Sequence, residues 1–82
     1  MKQLAFYDDM NMIEVYKTNI DKRSEAKSIL SVIRETVPGS DPSIDLEDCD
    51  SVLRVEHPTS RLHESTIREI VNRFGYDMEV LP

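Results

Sequence analysis

Met12-Ile13-Glu14-Val15-Tyr16-Lys17 alternates apolar and polar residues with period two. Its β-branched members favour a strand that places Ile13 and Val15 on one face. The period then changes. Ala26, Ile29, Leu30, Ile33 and Val37 recur at helical spacing and form one apolar stripe. Lys22, Arg23, Glu25, Lys27 and Arg34 fall mostly on the other faces. Asn19 or Asp21 can cap the start of this helix, since either side chain accepts a bond from an orphan N–H. Pro38-Gly39 ends it, and Ser40-Asp41-Pro42 makes the turn. Ser43 to Glu47 alternates again, with Ile44 and Leu46 sharing a face. Asp48-Cys49-Asp50 forms a polar tip, and Val52 to Val55 returns with Leu53 and Val55 together, which reads as a hairpin. His57-Pro58-Thr59-Ser60 interrupts the pattern, and Thr59 or Ser60 can cap a second helix. Its stripe is Leu62 or His63, then Ile67, Ile70, Val71 and Phe74. Gly75 stands where a left-handed C-terminal cap is needed. Tyr76 to Leu81 closes as a strand with Met78 and Val80 on one face.

The order β-α-β-β-α-β has a common compact solution, the α+β ferredoxin-like sandwich. Four antiparallel strands lie in the order 4-1-3-2, with both helices on one face of the sheet. The other face meets water. Glu14, Tyr16, Asp45, Glu47, Arg54, Asp77 and Glu79 are the expected water-facing alternates. Residues 12–82 form this single domain. Residues 1–11, with Leu4, Phe6 and Tyr7, are expected to be an N-terminal extension of partial order.

Composition narrows the function. An 82-residue chain accommodates one domain. A domain of this size buries roughly 60% of its unfolded surface. Its net stability is about 4–12 kcal/mol, at roughly 0.05–0.15 kcal/mol per residue. Ten Lys and Arg against 16 Asp and Glu give a formal charge of −6, which argues against a nucleic-acid partner. No apolar run approaches the ~20 residues of a membrane span. Met1-Lys2 is not followed by the apolar stretch of a secretory signal. The single cysteine, Cys49, excludes a disulfide scaffold and points to a reducing, cytoplasmic setting.

From about Met12 to Leu81 the chain resembles the heavy-metal-associated domain, the fold of small copper chaperones and of the N-terminal modules of metal-pumping ATPases. Ile13-x-Val15 with Ala26-x-x-Ile29-Leu30, the acidic hairpin from Ile44 to Val55, and Phe74-Gly75-Tyr76-Asp77-Met78-Glu79-Val80 carry the likeness. The family's metal sits in the first strand–helix loop, on two cysteines in a Gly-Met-x-Cys-x-x-Cys sequence. A helix N-terminus lowers the thiol pKa there, and the thiolates bind a soft monovalent ion. The matching stretch here is Lys17-Thr18-Asn19-Ile20-Asp21-Lys22-Arg23. Ile20 and Arg23 occupy the cysteine positions, and neither can replace a thiolate. The resemblance therefore implies a relative without the metal site, neither an enzyme nor a cofactor protein, with a protein partner or a homodimer as its target.

Other chemistry rests on scattered residues. Cys49 is the remaining thiol for metal binding by a non-standard copper or zinc site, but Asp48 and Asp50 raise a thiol's pKa by like-charge repulsion. His57 and His63 lie at the opposite end of the expected sheet from Cys49, so one zinc ion cannot use all three. They read as solvated loop and cap residues. Asp45 to Glu56 mimics a calcium loop but has Asp50 where the essential glycine belongs. Lys17, Asn19, Lys22 and Arg23 gather near the first helix's start and are the candidates for a small anion or an acyl-phosphate substrate. The glycine-rich phosphate cradle of such enzymes is missing. Strand three presents Leu53, Arg54 and Val55 where RNA-recognition modules stack bases on aromatic rings.

Overall fold

The computed structural model describes residues 12–47, 49–58 and 63–81. The elements are β1 (Met12–Thr18), α1 (Arg23–Thr36), β2 (Asp41–Asp45), β3 (Val52–His57), α2 (Glu64–Arg73) and β4 (Met78–Val80). They form one open four-stranded sheet in the order β2-β3-β1-β4, which is the expected order read from the other edge. Every pairing is antiparallel. Among the described residues no helix is long and apolar enough to cross a membrane. The expected extension 1–11 and the cap candidates Thr59 and Ser60, with Leu62 and Asp48, lie outside the described residues.

Both helices bury the stripes their spacing predicts. Ala26, Ile29 and Ile33 of α1 and Ile67, Ile70 and Val71 of α2 enter one core with Leu53, Val55 and Met78. Helix α2 ends in a Schellman motif. The Tyr76 N–H donates to the Val71 carbonyl at 3.2 Å, and the Gly75 N–H to Asn72 at 2.9 Å. Gly75 adopts φ +89°, a conformation that costs an L-residue roughly 1–2 kcal/mol. Open space surrounds the site of its missing Cβ, so Gly75→Ala meets no clash and only backbone strain. Thermal unfolding should register it as a loss of about 1 kcal/mol, or about 5 °C in Tm.

The first strand departs from expectation. Glu14, Tyr16 and Thr18 face the core, and Ile13 is 58% exposed on the outer face. Tyr16 lies opposite Leu53, and Glu14 opposite Val55, on the buried side. The stripe continues into the loop through Ile20, which is fully buried. Packing explains the choice. Tyr16 and Ile20 bring more apolar surface than Ile13 and Val15, and Glu14 finds hydrogen-bond donors inside. Of the other alternates expected in water, Asp45, Glu47, Arg54, Asp77 and Glu79 are exposed. On β4 only Met78 is buried, and Val80 is 53% exposed.

Helix α1 also starts differently. Its N-cap is Lys22, with no side-chain cap bond, in place of Asn19 or Asp21. Both of those side chains are engaged across the fold. Asn19 Oδ1 accepts the Asp77 N–H at 2.8 Å, and Asp21 accepts the Tyr76 hydroxyl at 3.2 Å. That hydroxyl also donates to Glu25, and this bond raises the Tyr76 phenol pKa above its ordinary value.

Candidate functional site

The first strand–helix loop is tied into the fold. Thr18 Oγ1 donates to the Ser51 carbonyl at 2.7 Å and accepts the Ile20 N–H at 3.2 Å. Ser51 Oγ donates to the Ile20 carbonyl at 2.7 Å. The Thr18 N–H donates to the Asp50 carbonyl at 3.0 Å, which joins the loop to the hairpin tip. Ile20 thus stands as a packed anchor of this loop. Arg23 is exposed at the first turn of α1.

The anion candidates do not converge on one pocket. Lys17 reaches Asp50 at 3.8 Å, Asn19 is bonded to Asp77, and Lys22 and Arg23 are exposed beyond them. A small cleft of about 130 Å³ does border Lys17 and Asn19, but Asp77 and Glu79 share its walls. Two carboxylates there oppose an anion. Cys49 is an exposed free thiol with Sγ 3.9 Å from Asp50 Oδ1. Among the described residues no group of three or more His, Cys, Asp and Glu is placed to hold a metal ion.

Sequence reasoning missed the polar cluster at the other end of the sheet. Glu14, taken as water-facing, has a side chain only 2% exposed. His57, taken as a loop residue, belongs to β3 and its side chain is fully buried. One oxygen of Glu14 meets His57 Nε2 at 2.5 Å and accepts the His63 N–H at 3.0 Å. The other accepts the Tyr16 hydroxyl. An ionised carboxylate only accepts, so His57 Nε2 carries the proton. His63 is the N-cap of α2 and has no side-chain cap bond of its own. Glu14 supplies a negative charge to that helix start from a remote strand, where the macrodipole favours it. The arrangement pins β1, β3 and α2 together.

Electrostatics follow from these contacts. Burial raises the Glu14 carboxyl, but hydrogen bonds from Tyr16, His57 and the His63 amide, with the charge of His57, outweigh burial. The carboxyl therefore titrates below its ordinary value. Burial and the bond to Glu14 push the Tyr16 phenol well above its own. The two histidine rings meet edge to face with centroids 4.8 Å apart. His63 Nε2 is buried with no hydrogen-bond partner among the described residues. The period-two pattern did carry one signal of this site: Glu14 shares its parity with Tyr16, Thr18 and Ile20.

Beside the cluster runs a groove of about 390 Å³ bordered by Ile13, Tyr16, Glu64, Val80 and Leu81. Ile13 and Val80 are the large apolar residues left exposed among those described, and both border this groove. Strand β4 pairs with Tyr16–Thr18 of β1, and the groove runs from the Tyr16–Val80 pair at the end of that ladder along the earlier residues of β1. No family model matches the chain, and neither does any curated protein or solved structure.

Proposed function

We propose that the chain is a protein-interaction or regulatory module of the cytoplasm, built on a ferredoxin-like βαββαβ sandwich. In this reading it is a relative of the heavy-metal-associated domain whose metal loop has become part of the core. The observation that carries the reading is Ile20. Ile20 is fully buried and its backbone is held on both sides by Thr18 and Ser51, which supports reading this loop as core where the resemblance would put a thiolate. The site gives up metal chemistry for packing. What the molecule then offers a partner is apolar surface, and Ile13 and Val80 supply it along one groove.

Native mass spectrometry after addition of Cu(I) and Zn(II) tests the metal half of this reading. The expected spectrum is that of the apo-protein, and stoichiometric retention at micromolar metal would overturn it. The interaction half predicts that Ile13→Asp with Val80→Asp abolishes partner retention on the immobilised chain. Both positions are exposed, so the double variant should fold, with each change worth within about 0.5 kcal/mol. Unchanged retention by a folded variant would remove the groove from the reading.

A further inference from the structure

We infer that the groove beside β1 is an open strand position, and that residues 4–7 of the same chain are its occupant. The backbone defines the opening. Strand β3 pairs with β1 from Met12 to Tyr16, but β4 pairs only with Tyr16, Lys17 and Thr18. The Leu81 N–H reaches the Val15 carbonyl at 3.1 Å and closes that ladder. Among the described residues, no strand pairs with Met12, Ile13 or Glu14 on the β4 side. Backbone groups alternate in direction along a strand, so the Ile13 N–H and C=O point the same way as the Val15 carbonyl, into the opening. The lining agrees. Four consecutive residues, Ile13 to Tyr16, border the groove with Val80 and Leu81. Neighbouring side chains of a strand point to opposite faces. A groove that touches all four therefore follows the edge of β1 and not one face of the sheet.

The sequence just before β1 selects the occupant. Leu4-Ala5-Phe6-Tyr7 is uncharged and contains two aromatic residues that favour strands. Asp8-Asp9-Met10-Asn11 supplies a four-residue connection of turn-favouring type, a length that hairpins use. That length sets Tyr7 opposite Met12, Phe6 opposite Ile13 and Ala5 opposite Glu14. Leu4 then arrives at Leu81, where β4 has ended. In this register Phe6 covers the exposed Ile13, and the smallest residue falls opposite the buried carboxylate. The added strand runs antiparallel to β1 and continues the line of β4. A second copy is the weaker occupant, because each chain carries a charge of −6. A short tether instead holds the chain's own segment at an effective concentration of about millimolar. The cover belongs to the free chain. Under the partner reading above, a partner takes the groove by displacing it.

Nuclear magnetic resonance on the free, full chain tests the pairing. Cross-relaxation should link the Phe6 ring to the Ile13 side chain. Phe6→Pro removes both the ring and the N–H that the Ile13 carbonyl accepts. The Ile13 amide should exchange about ten-fold faster in this variant than in the wild type, while Leu53 and Val55 in the sheet keep their protection. Equal exchange at Ile13 in the two proteins, or no contact between Phe6 and Ile13, would overturn the inference. A mixture of labelled and unlabelled chains identifies the source of the contact. A Phe6–Ile13 contact found between chains would overturn it in favour of a second copy. Neither measurement includes a partner, so failure here is distinct from failure of partner retention.

Discussion

Glu14→Ala should destabilise the domain by about 3–5 kcal/mol, the usual result of removing one partner of a buried charged pair. The loss is large because three donors converge on the carboxylate. The Tyr16 hydroxyl, His57 Nε2 and the His63 N–H all lose their acceptor at once. A buried donor left without its acceptor costs about 1–3 kcal/mol. Against a net stability of about 4–12 kcal/mol, the variant should be partly unfolded at room temperature or close to it. Urea denaturation followed by circular dichroism measures the change. Glu14→Gln preserves the shape and keeps an acceptor oxygen, so it should lose less. The two variants also separate charge from packing through pH. The folded Glu14 carboxyl titrates below its ordinary value of 4.5. Its contribution is therefore complete above that value and is lost as pH falls through the lower folded pKa. Wild-type urea midpoints should decline through that acid range, and those of Glu14→Gln should decline less.

Ile20→Ala should cost about 2–5 kcal/mol, the range for truncating a buried isoleucine or leucine. Ile20 has no exposed surface and belongs to the same core as Ile29, Leu53 and Ile67. Its backbone is held by Thr18 and Ser51 on either side, so the loop cannot easily collapse into the cavity. That places the expected loss in the upper part of the range. The contrast with Arg23 makes the comparison informative. Arg23→Ala, at the start of α1 beyond the same loop, should change stability by less than about 0.5 kcal/mol because its side chain is exposed. Equal midpoints for the two variants would show that the loop is not a structural anchor, and the proposed conversion from metal loop to core would fail with it.

Where a signal is local, the sequence reading and the structure agree. The stripes of α1 and α2 are legible because helical spacing leaves one apolar face and no rival to it. Gly75 is legible because few residues tolerate a left-handed cap, and the Schellman bonds close within six residues. The hairpin is legible from alternation on both sides of a polar tip. At the candidate site, legibility fails for Glu14 and His57. A glutamate in a strand is ordinarily solvated, and a histidine before a proline reads as the end of a pattern. Two of the three partners of Glu14 lie 43 and 49 residues further along the chain, so little near it announces a buried carboxylate. The capping of α1 failed for a related reason. Asn19 and Asp21 are suitable cap residues, yet distant groups on Asp77 and Tyr76 claim both side chains.

The chain by itself determined two helices, a hairpin, a closing strand, and their order. Each depends on periodicity or turn chemistry within a few residues. Tertiary structure alone decided which side of β1 is the inside. A period-two strand offers two faces, and a shift of one residue exchanges them. Ile13 and Val15 are the more apolar pair, but the opposite face aligns Tyr16 with Leu53 and brings Glu14 to His57 and the start of α2. That choice buried a carboxylate and left Ile13 in water. Both the polar cluster and the apolar groove follow from it.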